Sequence, residues 1–265
     1  MSTDHLTPVL TGRTLLRANP VSKLFAAAVI TLALMASIDW VSAAVVLTCE
    51  LALMPLLGIS AWGLARRIWP LLVAAAIGAY GTALLAEKSG TVLVDVGPFL
   101  FTGGSVAAGV AVGLRGLALA LPGIFLLLTT DPTDLADALA QKLHLPHRFV
   151  LGGLASLRLV GLLLEEWESL GLARHARGIG SDGSVVARTR NLLGQSFGLI
   201  VQAIRRATRL ATAMEARGFG GVTRTWARTS TFSSLDVGVA AVGLLVAAGA
   251  VAAAVLAGTW NFILS

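Results

Sequence analysis

Long apolar segments, separated by short polar ones, make up most of the first half of this chain. Because about 20 apolar residues cross a lipid bilayer and shorter spans are tolerated, the pattern predicts membrane-spanning helices. Asp39 and Trp40 indicate a tight turn between the first two helices, and residues 87–98 predict a short loop between the third and the fourth. We therefore expect an all-α integral membrane protein. The five predicted spans cover residues 23–38, 40–59, 68–86, 104–128 and 235–258.

Residues 131–230 follow a different pattern and predict a separate domain of three helices. Asp131 and Pro132 are typical of a helix start, because a capping residue there precedes a proline at the first helical position. The three helices are expected at about residues 131–143, 146–176 and 184–216. The predicted domains are an N-terminal segment (1–22), a membrane domain of four spans (23–130), this helical domain (131–230) and a final span (231–265).

The third helix of this domain carries apolar residues that are alternately four and three positions apart, which predicts a coiled-coil seam. At about 1.5 Å per residue the helix would be roughly 45–50 Å long, enough to carry displacement between distant surfaces. Arg205, Arg206 and Arg209 lie away from the seam, so the opposite face is expected to meet water, lipid headgroups or an acidic partner. The seam residues are Leu193, Phe197, Ile200, Ile204, Ala207, Ala211 and Met214.

Composition indicates a membrane protein with one basic cytoplasmic region. Hydrophobic residues form 56% of the chain and charged residues 13%, and the mean hydropathy is +0.82. Eighteen of the 20 Lys and Arg residues fall in segments that the five spans place on one side of the membrane, and basic residues mark the cytoplasmic side. The N-terminus and residues 131–230 are therefore expected in the cytoplasm of a multi-pass protein of the cell membrane. This topology explains the net charge of +6, so we expect no nucleic-acid partner.

Two short segments at the ends of the second and third cytoplasmic helices have nearly the same sequence. One is Ala176-Arg177-Gly178 followed by Ile179-Gly180, and the other is Ala216-Arg217-Gly218 followed by Phe219-Gly220. Each motif glycine is expected to end its helix, and each arginine favours the negative end of the helix dipole. Helix termination alone accounts for one copy, but two copies on adjacent helices indicate a function.

Two further motifs accompany this pair. Asn19-Pro20-Val21-Ser22-Lys23-Leu24 precedes the first span, and Thr129-Thr130-Asp131-Pro132-Thr133-Asp134-Leu135 opens the cytoplasmic domain. Together the motifs resemble those of the transmembrane coupling subunit, or T component, of energy-coupling factor (ECF) transporters (the EcfT/CbiQ family), including related subunits of cobalt and nickel uptake systems. The resemblance extends from about residue 15 to the last span. It implies an L-shaped fold with about five spans and a domain of long coupling helices.

The resemblance also implies partners and roles for the motif residues. In the family, each motif arginine docks into a groove on one of two ABC-type ATPases, which are identical or different. Each motif alanine allows close approach, and each motif glycine ends its helix. The chain would transmit ATPase motion to a separate substrate-binding membrane protein, the S component, for uptake of a vitamin or a transition metal. The matching positions are Ala176, Arg177, Gly178, Ala216, Arg217 and Gly218.

The sequence contains no Gly-x-x-x-x-Gly-Lys-Ser/Thr loop, so we expect ATP to be bound by the partner ATPases and no cofactor by this chain. Acidic residues from Asp131 to Asp137 are expected to favour a helix start rather than to hold a metal. The chain is therefore not expected to be an enzyme, and its substrate is chosen by another subunit. Two alternatives are a membrane-embedded enzyme using Glu50, Arg115 or this acidic cluster, and a permease with its own substrate pore.

Glu50 and Arg115 are the most central ionisable residues of the predicted spans. Counting about 1.5 Å per residue from the predicted outer ends places both about 15–17 Å deep. Because an unpaired charge at such a depth costs at least about 2.5–3.5 kcal/mol, we hypothesise an ion pair between Glu50 and Arg115. In the same span as Arg115, Gly109-x-x-x-Gly113 is expected to allow close helix packing.

Overall fold

The computed structural model describes residues 18–36, 39–57, 61–96, 99–179, 184–221, 226 and 228–260. Most of these residues are helical, with one β-hairpin between two of the helices. The helices are α1 (Pro20–Ala36), α2 (Trp40–Leu53), a 3₁₀ helix (Met54–Leu57), α3 (Ala61–Leu85), α4 (Gly103–Thr129), α5 (Pro132–Gln141), α6 (His147–Ala176), α7 (Val185–Ala216) and α8 (Ser234–Leu256). The strands are β1 (Val92–Val96) and β2 (Phe99–Thr102).

The helices confirm the expected all-α membrane protein. Among the described residues, three helices are long and apolar enough to cross a bilayer: Ile68–Leu85 within α3, Gly103–Thr129 and Ser234–Leu256. Two more apolar helices, α1 and α2, are shorter than 18 residues. The count of five spans and the L shape stay predictions.

Two local features differ from the predicted pattern. The second predicted span ends early, at Leu53, and continues as a 3₁₀ turn because Pro55 has no backbone N–H to donate. The predicted loop at 87–98 contains β1, which pairs antiparallel with β2. Valines alternate at positions 92, 94 and 96, which is a strand signal shorter than the apolar runs that predict the spans.

The chain divides into two compact units, of which the first combines the described parts of 1–135 and 230–265. Its core joins α1, α2, α4 and α8 around Leu34, Val46, Ala118 and Ala250. Helix α4 also packs closely on α3. A Cβ atom at Gly109 would lie 2.4 Å from the carbonyl oxygen of Ala79, and the predicted role of this glycine in close packing is confirmed.

The second unit, residues 136–229, contains the long helices α6 and α7. They run antiparallel, because Arg174 near the end of α6 donates to the Asn191 carbonyl (2.7 Å), whereas Arg148 at its start donates to the Gly220 carbonyl. Between these ends, the Gln195 amide donates to the Trp167 carbonyl at 2.7 Å. The pair is sparsely packed: none of the residues of α6 is buried.

Most of the predicted coiled-coil seam of α7 is exposed in the part of the chain that the structure describes, and only Met214 at its end lines a groove with α6. The helix turns a different face, which includes Gln195, Arg206 and Leu210, towards α6. Two polar contacts fix this rotation: the Gln195 bond to Trp167, and an ion pair of 3.1 Å between Arg206 and Glu166. The seam is left exposed at Leu193 (67%), Phe197 (69%), Ile200 (55%) and Ile204 (62%).

The close packing of α3 and α4 gives a test with a matched control. Gly109→Ala should lower the free energy of unfolding by about 1–3 kcal/mol, because the new methyl group would meet the Ala79 carbonyl. Gly116→Ala on the same helix meets no atom within 4 Å. It should raise stability by about 0.5–1 kcal/mol through helix propensity. Thermal unfolding in detergent measures both, and equal effects of the two changes would contradict this packing.

Candidate functional site

The end of α6 is a tight, fully hydrogen-bonded turn. Gly178 adopts a φ of +75°, a left-handed conformation that favours glycine. Its N–H donates to the His175 carbonyl at 2.9 Å, and the Ile179 N–H donates to the Arg174 carbonyl at 3.0 Å. This pair of bonds is the Schellman motif, which satisfies carbonyls that the helix end would otherwise leave open.

The end of α7 has the same backbone geometry. Gly218 has a φ of +74°, and its N–H donates to the Glu215 carbonyl at 2.9 Å. The Phe219 N–H donates to the Met214 carbonyl, also at 2.9 Å. The repeated Ala-Arg-Gly sequence therefore builds the same structure twice.

Each motif arginine occupies the last position before the glycine and is exposed. The backbone φ and ψ are −87° and 7° at Arg177, and −89° and 10° at Arg217. In the part of the chain that the structure describes, neither guanidinium group forms a hydrogen bond or an ion pair. Ala176 and Ala216 are exposed beside them, so no large side chain shields either arginine from an approaching surface.

The antiparallel pairing places the two arginines at opposite ends of the helix pair. Arg174 contacts Asn191, so Arg177 lies near the level of residue 188 on α7. About 29 residues of α7 separate that level from Arg217, which corresponds to roughly 40 Å at about 1.5 Å per residue. The molecule thus presents two similar sites that are well separated.

A groove of about 850 Å³ adjoins the second motif, between α6 and α7. Arg217, Gly218 and Phe219 form one end of it, and leucines of α6 form an apolar wall. Two further arginines, Arg158 and Arg206, line the groove and make it basic. A concave surface that combines apolar walls with a few charged groups is suited to binding.

Comparison with known proteins places these features in a family. A family model described as "Cobalt transport protein" (CbiQ) matches residues 12–227, a range that includes both Ala-Arg-Gly motifs. The chain belongs to the CbiQ family.

Individual relatives agree with this assignment. The energy-coupling factor transporter transmembrane protein EcfT of Brevibacillus brevis is 37% identical over 171 residues, which cover 61% of this chain and 64% of the relative. EcfT of Bacillus subtilis is 34% identical over 165 residues (59% and 62%), and EcfT of Heliobacterium modesticaldum is 36% identical over 164 residues (58% and 62%). This CbiQ-family chain thus spans slightly less than two thirds of the length of these relatives. The resemblance to ECF T components is confirmed.

The family chain also contains a buried polar cluster that sequence analysis missed. The carboxylate of Asp236, at the start of α8, accepts hydrogen bonds from the Asn19 N–H, the Ser22 hydroxyl (3.2 Å) and the Ser233 N–H. Asn19, Ser22 and Asp236 are all at most 6% exposed. The Ser233-x-x-Asp236 spacing is a helix-capping pattern, which was the available signal.

The same N-terminal segment contacts the end of α4 and the residues where the chain re-enters the first unit. The Asn19 amide donates to the Ser230 hydroxyl (2.8 Å) and the Thr231 carbonyl (3.1 Å), where the chain returns. The Lys23 ammonium donates to the carbonyl of Thr129 (2.7 Å), the last residue of α4. The Asn19–Lys23 motif thus ties α1, α4 and α8 together.

Asp131 acts at a helix start, as expected. Its carboxylate accepts a hydrogen bond of 2.6 Å from the Thr133 N–H. This contact gives Asp131 a structural role at the start of α5.

The ion pair predicted between Glu50 and Arg115 is absent from the structure, which describes both residues. Neither carboxylate oxygen of Glu50 has a hydrogen-bond partner. The prediction assumed that α2 and α4 begin at the same depth, but Val46 packs in one cluster with Ala118. Only six residues precede Val46 in α2, whereas 15 precede Ala118 in α4. The first residue of α2 therefore lies further into the helix bundle than the first residue of α4. Glu50 therefore lies level with Pro122, about 10 Å from the level of Arg115 at 1.5 Å per residue.

The Asp236 cluster gives a second testable expectation. Asp236→Asn should lower the free energy of unfolding by about 1–3 kcal/mol, because it replaces a charged acceptor of three hydrogen bonds, two of which are buried. Glu87→Gln, at an exposed position of the same unit, removes the same charge and should change stability by less than about 0.5 kcal/mol. Chemical unfolding in detergent compares the two, and a neutral Asp236→Asn would show that the cluster adds nothing to stability.

Proposed function

We propose that this CbiQ-family chain is the transmembrane coupling subunit of an ECF-type ABC importer, which passes the movement of two ATPases to a separate substrate-binding S component. The observation that carries the proposal is the pair of Ala-Arg-Gly helix ends, built with the same geometry and placed about 29 helical residues apart, or roughly 40 Å. Two similar anchors suit two similar partners related by a twofold axis. A dimer of identical or of different ATPases meets this requirement.

Arginine suits the anchoring role at both positions. Its planar guanidinium holds a carboxylate through two parallel hydrogen bonds, which fixes orientation as well as attraction. Arg177 and Arg217 are exposed and have no competing partner among the described residues. The helices behind them, of 30 and 32 residues, are long enough to carry a displacement at one end to a distant surface.

The exposed seam of α7 supports contact with a further protein. Leu193, Phe197, Ile200 and Ile204 form one continuous apolar stripe that is more than half exposed. Contiguous apolar surface of this kind marks a site of association with protein or membrane. We assign the stripe to the S component, so that one helix contacts an ATPase at its end and the substrate-binding subunit along its side.

Energy and substrate choice come from the partners in this proposal. The sequence has no phosphate-binding Gly-x-x-x-x-Gly-Lys-Ser/Thr loop, so in this proposal the partner ATPases bind and hydrolyse ATP and this subunit does not. The relatives are named as transporter components, which favours this role over that of an enzyme. The S component selects the vitamin or transition metal. The subunit is L-shaped and lies in the cell membrane, with five spans and its 131–230 domain in the cytoplasm.

Charge reversal tests the anchoring role. Arg177→Glu or Arg217→Glu should each cost about 2–5 kcal/mol of ATPase binding, since a carboxylate would replace a guanidinium at the interface, and the double variant should nearly abolish assembly. Lysine at either position should give an intermediate loss, because it lacks the planar fork. Co-purification of the ATPases with the tagged chain measures the effect.

Arg209→Glu is the matched control, since Arg209 is exposed on α7 but lies outside both motifs. It should retain normal ATPase recovery. Normal recovery of both ATPases by the Arg177→Glu/Arg217→Glu double variant would remove the basis of the proposal.

The orientation has its own measurement. Reporters inserted near residues 182 and 221 should respond as cytoplasmic, whereas reporters near Lys88 and at residue 265 should respond as external, because basic residues concentrate on the cytoplasmic side. A cytoplasmic reporter at residue 265 would mean that the chain does not cross the membrane five times.

A further inference from the structure

Glu50 of α2 is an ionisable side chain that is buried in the first unit. It is only 3% exposed, and both carboxylate oxygens lack a hydrogen-bond partner in the described part of the chain. Leaving a buried polar group without a partner is destabilising, and more so for a group that can carry charge. Ionisable residues inside membrane segments are rare, and where they occur they usually serve a function.

A groove of about 440 Å³ lies next to this carboxyl group. Its floor comes from α1 and α2, and its sides come from α4 and α8, which both pack on that floor. Lys23 and Ile30 of α1 and Glu50 of α2 all line it. Lys23 and Ile30 are seven positions apart on α1, so the groove extends about 10 Å along that helix at 1.5 Å per residue.

The walls of the groove are almost entirely apolar, with alanine, leucine, valine and phenylalanine side chains from the four helices. An occupant must therefore be apolar along most of its length and must offer a hydrogen-bond donor to Glu50. A lipid acyl chain is apolar but leaves both Glu50 oxygens without a donor. Water supplies a donor but is not apolar. A lysine or arginine side chain meets both requirements, because an apolar stem carries its charged head.

The edge of the groove also allows another helix to approach. Gly238 of α8 lines the groove, and a Cβ atom built there has no heavy atom within 4 Å. Small residues at such a position let two membrane helices come close together.

We propose that the groove between α4 and α8 receives a transmembrane helix of the partner membrane subunit, which inserts a lysine or arginine side chain to bind Glu50. This inference rests on the proposed function, since it requires a membrane partner. The contact lies in the first unit, whereas the ATPase anchors lie in the second. Loss of one contact is therefore separable from loss of the other.

The test uses the transporter complex purified from its own membrane through a tag on this chain. Gly238→Phe places a ring in the groove, and Glu50→Leu removes the acceptor. Each should reduce recovery of the membrane partner at least tenfold while ATPase recovery stays normal. Glu50→Gln, which keeps one acceptor oxygen, should lose less. Gly249→Phe is the control, because Gly249 lies on the same helix, also with open space at its Cβ, but outside the groove.

A second readout distinguishes a binding residue from a structural one. Glu50→Leu should raise the melting temperature of the isolated chain, because it removes a buried group without a partner, even as it weakens assembly. A fall in melting temperature would show that Glu50 is a structural residue and would overturn the inference.

The remaining outcomes also decide the question. Normal recovery of the membrane partner by Gly238→Phe overturns the inference, including the case in which this variant loses only a bound lipid detected by native mass spectrometry. If the wild-type chain recovers ATPases but no membrane partner, both this inference and the proposed coupling role are overturned. If it recovers the membrane partner but no ATPases, only the anchoring role fails.

Discussion

The carboxylate of Asp236 joins the start of α8 to the start of α1, and the arrangement of the first unit depends on this contact. Its donors at Asn19 and Ser22 are more than 210 residues away in sequence. Because residues 136–229 form the second unit, α8 can join α1 and α4 only through tertiary contacts. A charge-assisted hydrogen-bond cluster around a buried carboxylate is among the stronger contacts available for this purpose. The apolar packing of Gly243 against Ala26 then fixes how closely α1 and α8 approach.

Much of this fold follows from the sequence because its main elements are local. The lengths of the apolar runs predicted the helices of the first unit, and Gly178 and Gly218 predicted the ends of α6 and α7. Each signal is contained within one continuous stretch of sequence. Pro55 and the alternating valines of β1 were also local signals, but weaker than the apolar runs around them. Asp236 was hidden because its partners lie at the other end of the chain.

The expectations that failed concern the rotation of α7 about its axis and the relative levels of Glu50 and Arg115. Neither property is determined by the sequence of one helix alone. The seam of α7 predicted a packed face, yet the Gln195 and Arg206 contacts turn that helix so that the seam points away from α6. Glu50 and Arg115 were placed by counting from helix ends, yet α2 begins deeper than α4. Both outcomes depend on how one helix packs against another. The proposed roles of Arg177 and Arg217 depend on the surfaces of partner proteins. The structure gives the geometry of the two arginines, and the expectation that they dock on ATPases comes from the family resemblance.

The antiparallel course of α6 and α7 determines what kind of motion the pair can pass on. If the two arginine ends are pushed in the same direction, the pair is translated as a body. If they are pushed in opposite directions across its axis, the separation of about 29 helical residues, roughly 40 Å, acts as a lever arm and the pair turns. Opposing shifts of 2 Å at the two ends would rotate it by only about 6°, at a lever length set by that rise per residue. In the proposed coupling role, the helix pair acts as a lever that converts opposing shifts of its two ends into a rotation.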